Sequence, residues 1–93
     1  MLEKDLEAKM GRWLKKHKCL WYKWVSPGCS GVPDRIVITP RGDVWFVELK
    51  TETGELSELQ RVIIQKILDY GARVRVVRGE KDAFKFLREE LAL

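Results

Sequence analysis

At 93 residues and a formal charge of +4, the chain is sized for one domain, residues 1–93, since a second would have almost no core. Its apolar fraction of 45%, with four Trp, three Phe and two Tyr, argues against wholesale disorder, and no stretch approaches 18 consecutive uncharged apolar residues, which argues against a membrane span. The N-terminus alternates charge with Leu and shows no signal-peptide block, so an intracellular protein is expected.

In chain order, Leu2, Leu6, Met10, Trp13 and Leu14 recur at helical spacing and predict an amphipathic helix over residues 2–17. Leu20 to Val25 is aromatic and β-rich and runs into a loop dense in turn formers, Ser26-Pro27-Gly28 and Ser30-Gly31-Val32-Pro33. Two β-branched runs then flank Thr39-Pro40-Arg41-Gly42-Asp43, a hairpin signal that places strands at 34–38 and 44–50. Ser57 is the expected N-cap of a helix carried by Leu59, Val62, Ile63, Ile67 and Leu68 as far as Tyr70, where Gly71 stops it. A fourth strand is expected over 72–77 and a last helix over 82–91, giving the order α-β-β-β-α-β-α.

Cys19 and Cys29 build no disulfide framework and, with His17 the sole histidine, no zinc site, so free thiols are expected. Charge is unevenly spread. Ala8 to Pro33 holds six basic residues and no acidic one, whereas Thr51 to Gln60 holds three Glu and no base. A one-sided positive field, suited to a polyanion, follows.

On a strand, residues two apart share a face, so Glu48 and Lys50 project together. If Ile38 pairs with Val44, the register brings Asp34 opposite Glu48, with Cβ atoms about 4.5 to 5.5 Å apart. Two converging carboxylates need a cation or a shared proton. Their spacing suits Mg²⁺ or Mn²⁺, hard ions that take oxygen ligands and keep several waters, and Lys50 beside them is placed to offset charge on a phosphate.

Pro33-Asp34, a 13-residue gap and Glu48-Leu49-Lys50, within this element order, resemble the PD-(D/E)xK nucleases, and more closely the small stand-alone VRR-NUC domains of phage and bacterial type. Ser26-Pro27-Gly28, Gly31 to Arg35, Val47 to Lys50, Leu56 to Gln60 and Gly71 to Val77 follow that pattern in order. The resemblance implies a restriction-endonuclease-like α/β core with a mixed central sheet flanked by helices. It makes Asp34 and Glu48 metal ligands with the Leu49 carbonyl, Lys50 the catalytic lysine, and Gln60 a site-facing glutamine at the next helix, where a capping role is the other reading. The family also places a glutamate on the first helix. Of Glu3 and Glu7 the edge position of Glu7 on the apolar stripe favours it, with Glu3 left to support the helix N-terminus.

Lys9, Arg12 and Lys16 share a helical side suited to DNA, and Lys23, Ser26 and Arg35 flank the Ser-Pro-Gly loop, where phosphate contact near the cut is expected. The resemblance further implies a Holliday-junction-resolvase-like homodimer acting on four-way junctions. A flap, nick or end-processing nuclease and a catalytically silent nucleic-acid-binding module are the alternatives.

Overall fold

A computed structural model describes Met1–Leu93. Its elements are α1 (Glu3–Lys16), β1 (Leu20–Lys23), β2 (Arg35–Ile38), β3 (Val44–Lys50), α2 (Glu58–Asp69), β4 (Arg73–Arg78) and α3 (Gly79–Lys85), which runs into a π-helical turn at Phe86–Glu90. The strands form one mixed sheet in the order β1-β2-β3-β4, antiparallel across the first two pairings and parallel between β3 and β4. No helix is long and apolar enough to cross a membrane.

The hairpin register is the one the loop length requires: Ile38 pairs with Val44 and Arg35 with Val47. Alternation then sorts the sheet into two faces. Val37, Val47, Leu49 and Val77 point to one face and pack beneath Leu6, Met10 and Leu14 of α1 and Ala83, Phe86 and Leu87 of the C-terminal helix, forming the main core. Trp13 reaches from α1 to meet Phe84 of α3 edge-on at 5.0 Å, while Leu2 stays 60% exposed and outside the stripe expected of it. The opposite face carries Glu48 and Lys50 and is covered by α2, whose single buried residue is Ile64. One layer is thus deep and the other thin.

The last helix begins at Gly79, three residues before the expected Asp82. Asp82 lies inside the helix and its carboxylate reaches back to accept from the Arg78 N–H at 2.8 Å while also accepting from the two terminal Arg75 guanidinium nitrogens at 2.8 and 2.9 Å. Gly79 makes the early start possible, because its φ is +81° and an added Cβ would lie 2.4 Å from Glu52 Cγ. Both cysteines are free thiols. Cys19 is buried, which pushes its thiol up and leaves it inert, and Cys29 is exposed on the loop.

Candidate active site

The loop before β2 is pinned at its ends by the Trp24 N–H, which donates to the Asp34 carbonyl at 2.8 Å. Gly31, at φ +91°, lies so close to the Leu59 backbone that a Cβ would sit 3.0 Å from it, so the loop seats against the first turn of α2. Asp34 therefore enters β2 in a fixed place, and its Oδ2 accepts the Leu49 N–H at 3.2 Å. That bond brings it against β3 at Glu48, Leu49 and Lys50.

Glu48 is 1% exposed. One oxygen, Oε2, accepts from Gln60 Nε2 at 3.2 Å and lies 3.7 Å from Lys50 Nζ. The other, Oε1, is buried with no hydrogen-bond partner. Burial first, then the neighbouring Asp34 carboxylate, push the Glu48 carboxyl up to about 7 against the attraction of Lys50, and Glu3 adds a smaller push in the same direction. An orphaned buried carboxylate oxygen costs on the order of 1–3 kcal/mol or more, since its desolvation is unreturned.

Gln60 fills both roles weighed for it. Its side-chain carbonyl accepts the Ser57 N–H at 2.9 Å and its own N–H donates to Ser57 Oγ at 3.1 Å, a complete capping box. The remaining amide nitrogen donates to Glu48. The start of α2 and the orientation of Glu48 are set by one side chain.

The two first-helix glutamates part company. Glu7 is ion-paired with Arg35 on the sheet face that α1 covers, while Glu3 is the one whose charge bears on Glu48. The expectation that favoured Glu7 for the site therefore meets an arginine already holding it. Register gives the reason: Arg35 lies across from Val47, on the face opposite Glu48. Lys23, paired with Arg35 across β1 and β2, shares that face, so neither is directed at the carboxylates. Lys9 is paired with Glu80 and lies 5.8 Å over the Phe84 ring, while Arg12 and Lys16 are exposed. Ser26 is half-buried in the loop, where its carbonyl accepts the Cys29 N–H at 3.1 Å. One neighbour escaped the sequence altogether. Arg78 is paired with Lys50 across the parallel ladder, its Nε donating to the Gly54 carbonyl at 3.1 Å.

The residues fit a hard divalent cation. Glu48 Oε1 is an unused anionic ligand beside a second carboxylate, and its raised proton affinity is what a missing positive charge produces. No third His, Cys, Asp or Glu side chain closes on the pair. That matches an ion such as Mg²⁺ or Mn²⁺, which commonly takes one or two carboxylates and fills its shell with water and substrate oxygens.

Comparison with known proteins agrees with this geometry. The profile of the VRR-NUC domain matches residues 3–81. A solved structure described as a VRR_NUC domain superposes with a TM-score of 0.88 at 31% identity, covering 94% of this chain and 95% of its own. Among curated proteins, "Putative nuclease p44" of Acyrthosiphon pisum secondary endosymbiont phage 1 is 44% identical over 48 residues, 52% of each chain, so the match spans about half the length of that relative.

Proposed function

The chain belongs to the VRR-NUC domain family, and from that membership we propose that it is a Mg²⁺- or Mn²⁺-dependent endonuclease that hydrolyses phosphodiester bonds in branched DNA, as a homodimer of Holliday-junction-resolvase type. The observation that carries the reading is Glu48 Oε1, buried and unpartnered on a carboxyl group that neighbours Asp34 and turns its other oxygen toward Lys50.

Asp34, Glu48 and the Leu49 carbonyl are the proposed ligands. Glu3 is the proposed first-helix carboxylate, since Glu7 is committed to Arg35. A bound divalent ion supplies Lewis-acid polarisation of the phosphate and a lowered pKa for the attacking water. The protein does the rest. Gln60 fixes one Glu48 oxygen and leaves the other free, and the Leu49 N–H fixes one Asp34 oxygen, so both carboxylates are preorganised before substrate arrives. Lys50, with a side chain 17% exposed, presents its ammonium where charge develops on the phosphoryl oxygens, in surroundings dry enough to strengthen that attraction.

Dimerisation is supported by apolar surface left uncovered. Tyr22 and Val44 on the α2 side of the sheet, and Leu59 and Val62 on α2, remain 41–55% exposed. A twofold partner seated there buries them and matches the symmetry of a four-way junction.

Gel cleavage of four-way junction, flap, nicked and linear duplex DNA, with Mg²⁺, Mn²⁺ or EDTA, tests the reading against a Lys50→Ala control. Paired symmetric cuts confined to the junction, lost in EDTA and in the variant, are expected. Cuts spread over flaps and ends refute the resolvase assignment, and tight salt-sensitive binding without cleavage refutes the enzyme.

A further inference from the structure

Lys4, Ala8, Gly11, Arg12 and Lys15 recur at spacings of three and four, and so occupy one face of α1. That face turns away from the core, toward the open edge of β1. Two concavities lie along it. One of about 340 Å³ is lined by Lys4, Ala8 and Arg35, the other of about 380 Å³ by Arg12, Lys15 and Leu20, and they share Gly11 and Trp21. They flank the Gly11–Trp21 contact and together make a shallow channel along α1 that passes over the indole.

Its floor is built from small side chains and an indole. A Cβ on Gly11 would lie 3.2 Å from Trp21 Cδ1 and Nε1, so the ring rests against the helix backbone, and the Arg35 guanidinium lies 5.2 Å from its centroid. Its walls are cationic. Lys4, Arg12 and Lys15 are exposed and none is among the paired cations, while Glu7, the only acidic lining residue, is neutralised by Arg35. At 1.5 Å per residue, Lys4 to Lys15 spans about 16 Å, close to five nucleotide steps at about 3.4 Å each. The Lys4 end opens where β2 begins, one residue from Asp34 and beside Glu3, whose charge reaches Glu48.

We propose that this channel is a second DNA site, which holds one sugar-phosphate strand along α1 and delivers it to the carboxylates around the end of the sheet. The assignment rests on the nuclease reading for its ligand. Two adjoining concavities with three spaced, uncompensated cations, a small side chain at Ala8 and the Trp21 indole between them have the chemistry of strand tracking. It also accounts for Lys4 and Lys15, which have no role at the carboxylates.

The test is fluorescence anisotropy of labelled junction and duplex DNA in EDTA over a NaCl series. Lys4→Ala/Arg12→Ala/Lys15→Ala is compared with Lys66→Ala/Lys81→Ala/Arg88→Ala, which removes the same charge elsewhere, and with Ala8→Phe, which fills the channel without changing charge. Lys15→Glu repeats the test with a single exposed change, and circular dichroism confirms folding of each variant. The channel triple is expected to weaken binding at least tenfold at 0.1 M NaCl and to lower the salt slope by about 2 to 3. Ala8→Phe should weaken it several-fold and the control triple less than twofold. Equal weakening by the two triples, or wild-type binding by Ala8→Phe, overturns the channel. Wild-type cleavage of the same DNA in Mg²⁺ is scored separately, so its absence alongside intact channel effects overturns only the nuclease reading.

Discussion

Replacing Glu48 with Gln should make the metal-free protein more stable at neutral pH. Burial and Asp34 raise the Glu48 carboxyl from an ordinary 4.5 to about 7, so the folded state holds this proton more tightly than the unfolded chain. The associated stability is full below 4.5 and is lost as pH rises through 7. At about 1.4 kcal/mol per pH unit, the displacement amounts to about 3 kcal/mol, most of it lost between pH 5 and 8. The side chain is 2% exposed, so solvent screening takes little from this figure. Gln keeps the volume and can still accept from Gln60, but carries no charge at any pH. Urea denaturation in EDTA should therefore show wild type losing about 2 to 3 kcal/mol from pH 5 to 8 while Glu48→Gln stays flat. Asp82, held low by Arg75, titrates below this window and does not confuse it. Mg²⁺ or Mn²⁺ at a hundredfold excess over Kd should return about 2.7 kcal/mol to wild type alone. Parallel stability profiles for the two proteins from pH 5 to 8 would refute the reasoning.

Lys50→Ala should reduce the single-turnover cleavage rate on the order of 100-fold or more at saturating metal and DNA, with Kd for DNA nearly unchanged in anisotropy. Glu3→Gln should weaken Mn²⁺ binding measured by calorimetry more than Glu7→Gln does, and the reverse order would return the first-helix role to Glu7. Gln60→Ala keeps the Ser57 cap on its backbone N–H but loses the side-chain half of the capping box, so it should cost about 0.5–1.5 kcal/mol in urea denaturation, with a drop in cleavage. Gln60→Glu can keep the capping box but sets a carboxylate against Glu48, so it should hurt cleavage far more than stability.

Local signals in the sequence carried most of this structure. The five-residue turn between Ile38 and Val44 settled the register, and with it the meeting of Asp34, Glu48 and Lys50, because a period of two leaves no freedom once one pair is set. Ser57 and Gln60 were readable as a cap for the same reason: both partners lie within one turn. What stayed hidden depends on contacts distant in the chain. Arg78 meets Lys50 through a parallel pairing that no hairpin dictates, and Glu7 is held by an arginine 28 positions away, so its place on the helical wheel could not reveal its partner. The early start of α3 carries no signal ahead of it, because Asp82 binds the Arg78 N–H from inside the helix.

The thin layer formed by α2 ties catalytic readiness to local folding. The deep core lies between α1, α3 and the other sheet face, so α2 can open at a lower free energy than the whole domain. Its first turn cannot unwind without releasing Gln60, and Gln60 cannot leave without freeing the Glu48 carboxylate it holds. Hydrogen exchange at the α2 N-terminus would thus report the fraction of molecules in which the site is disarmed. Whatever damps that opening, whether a seated partner subunit or a captured ion, raises the armed fraction without adding a single contact to the phosphate.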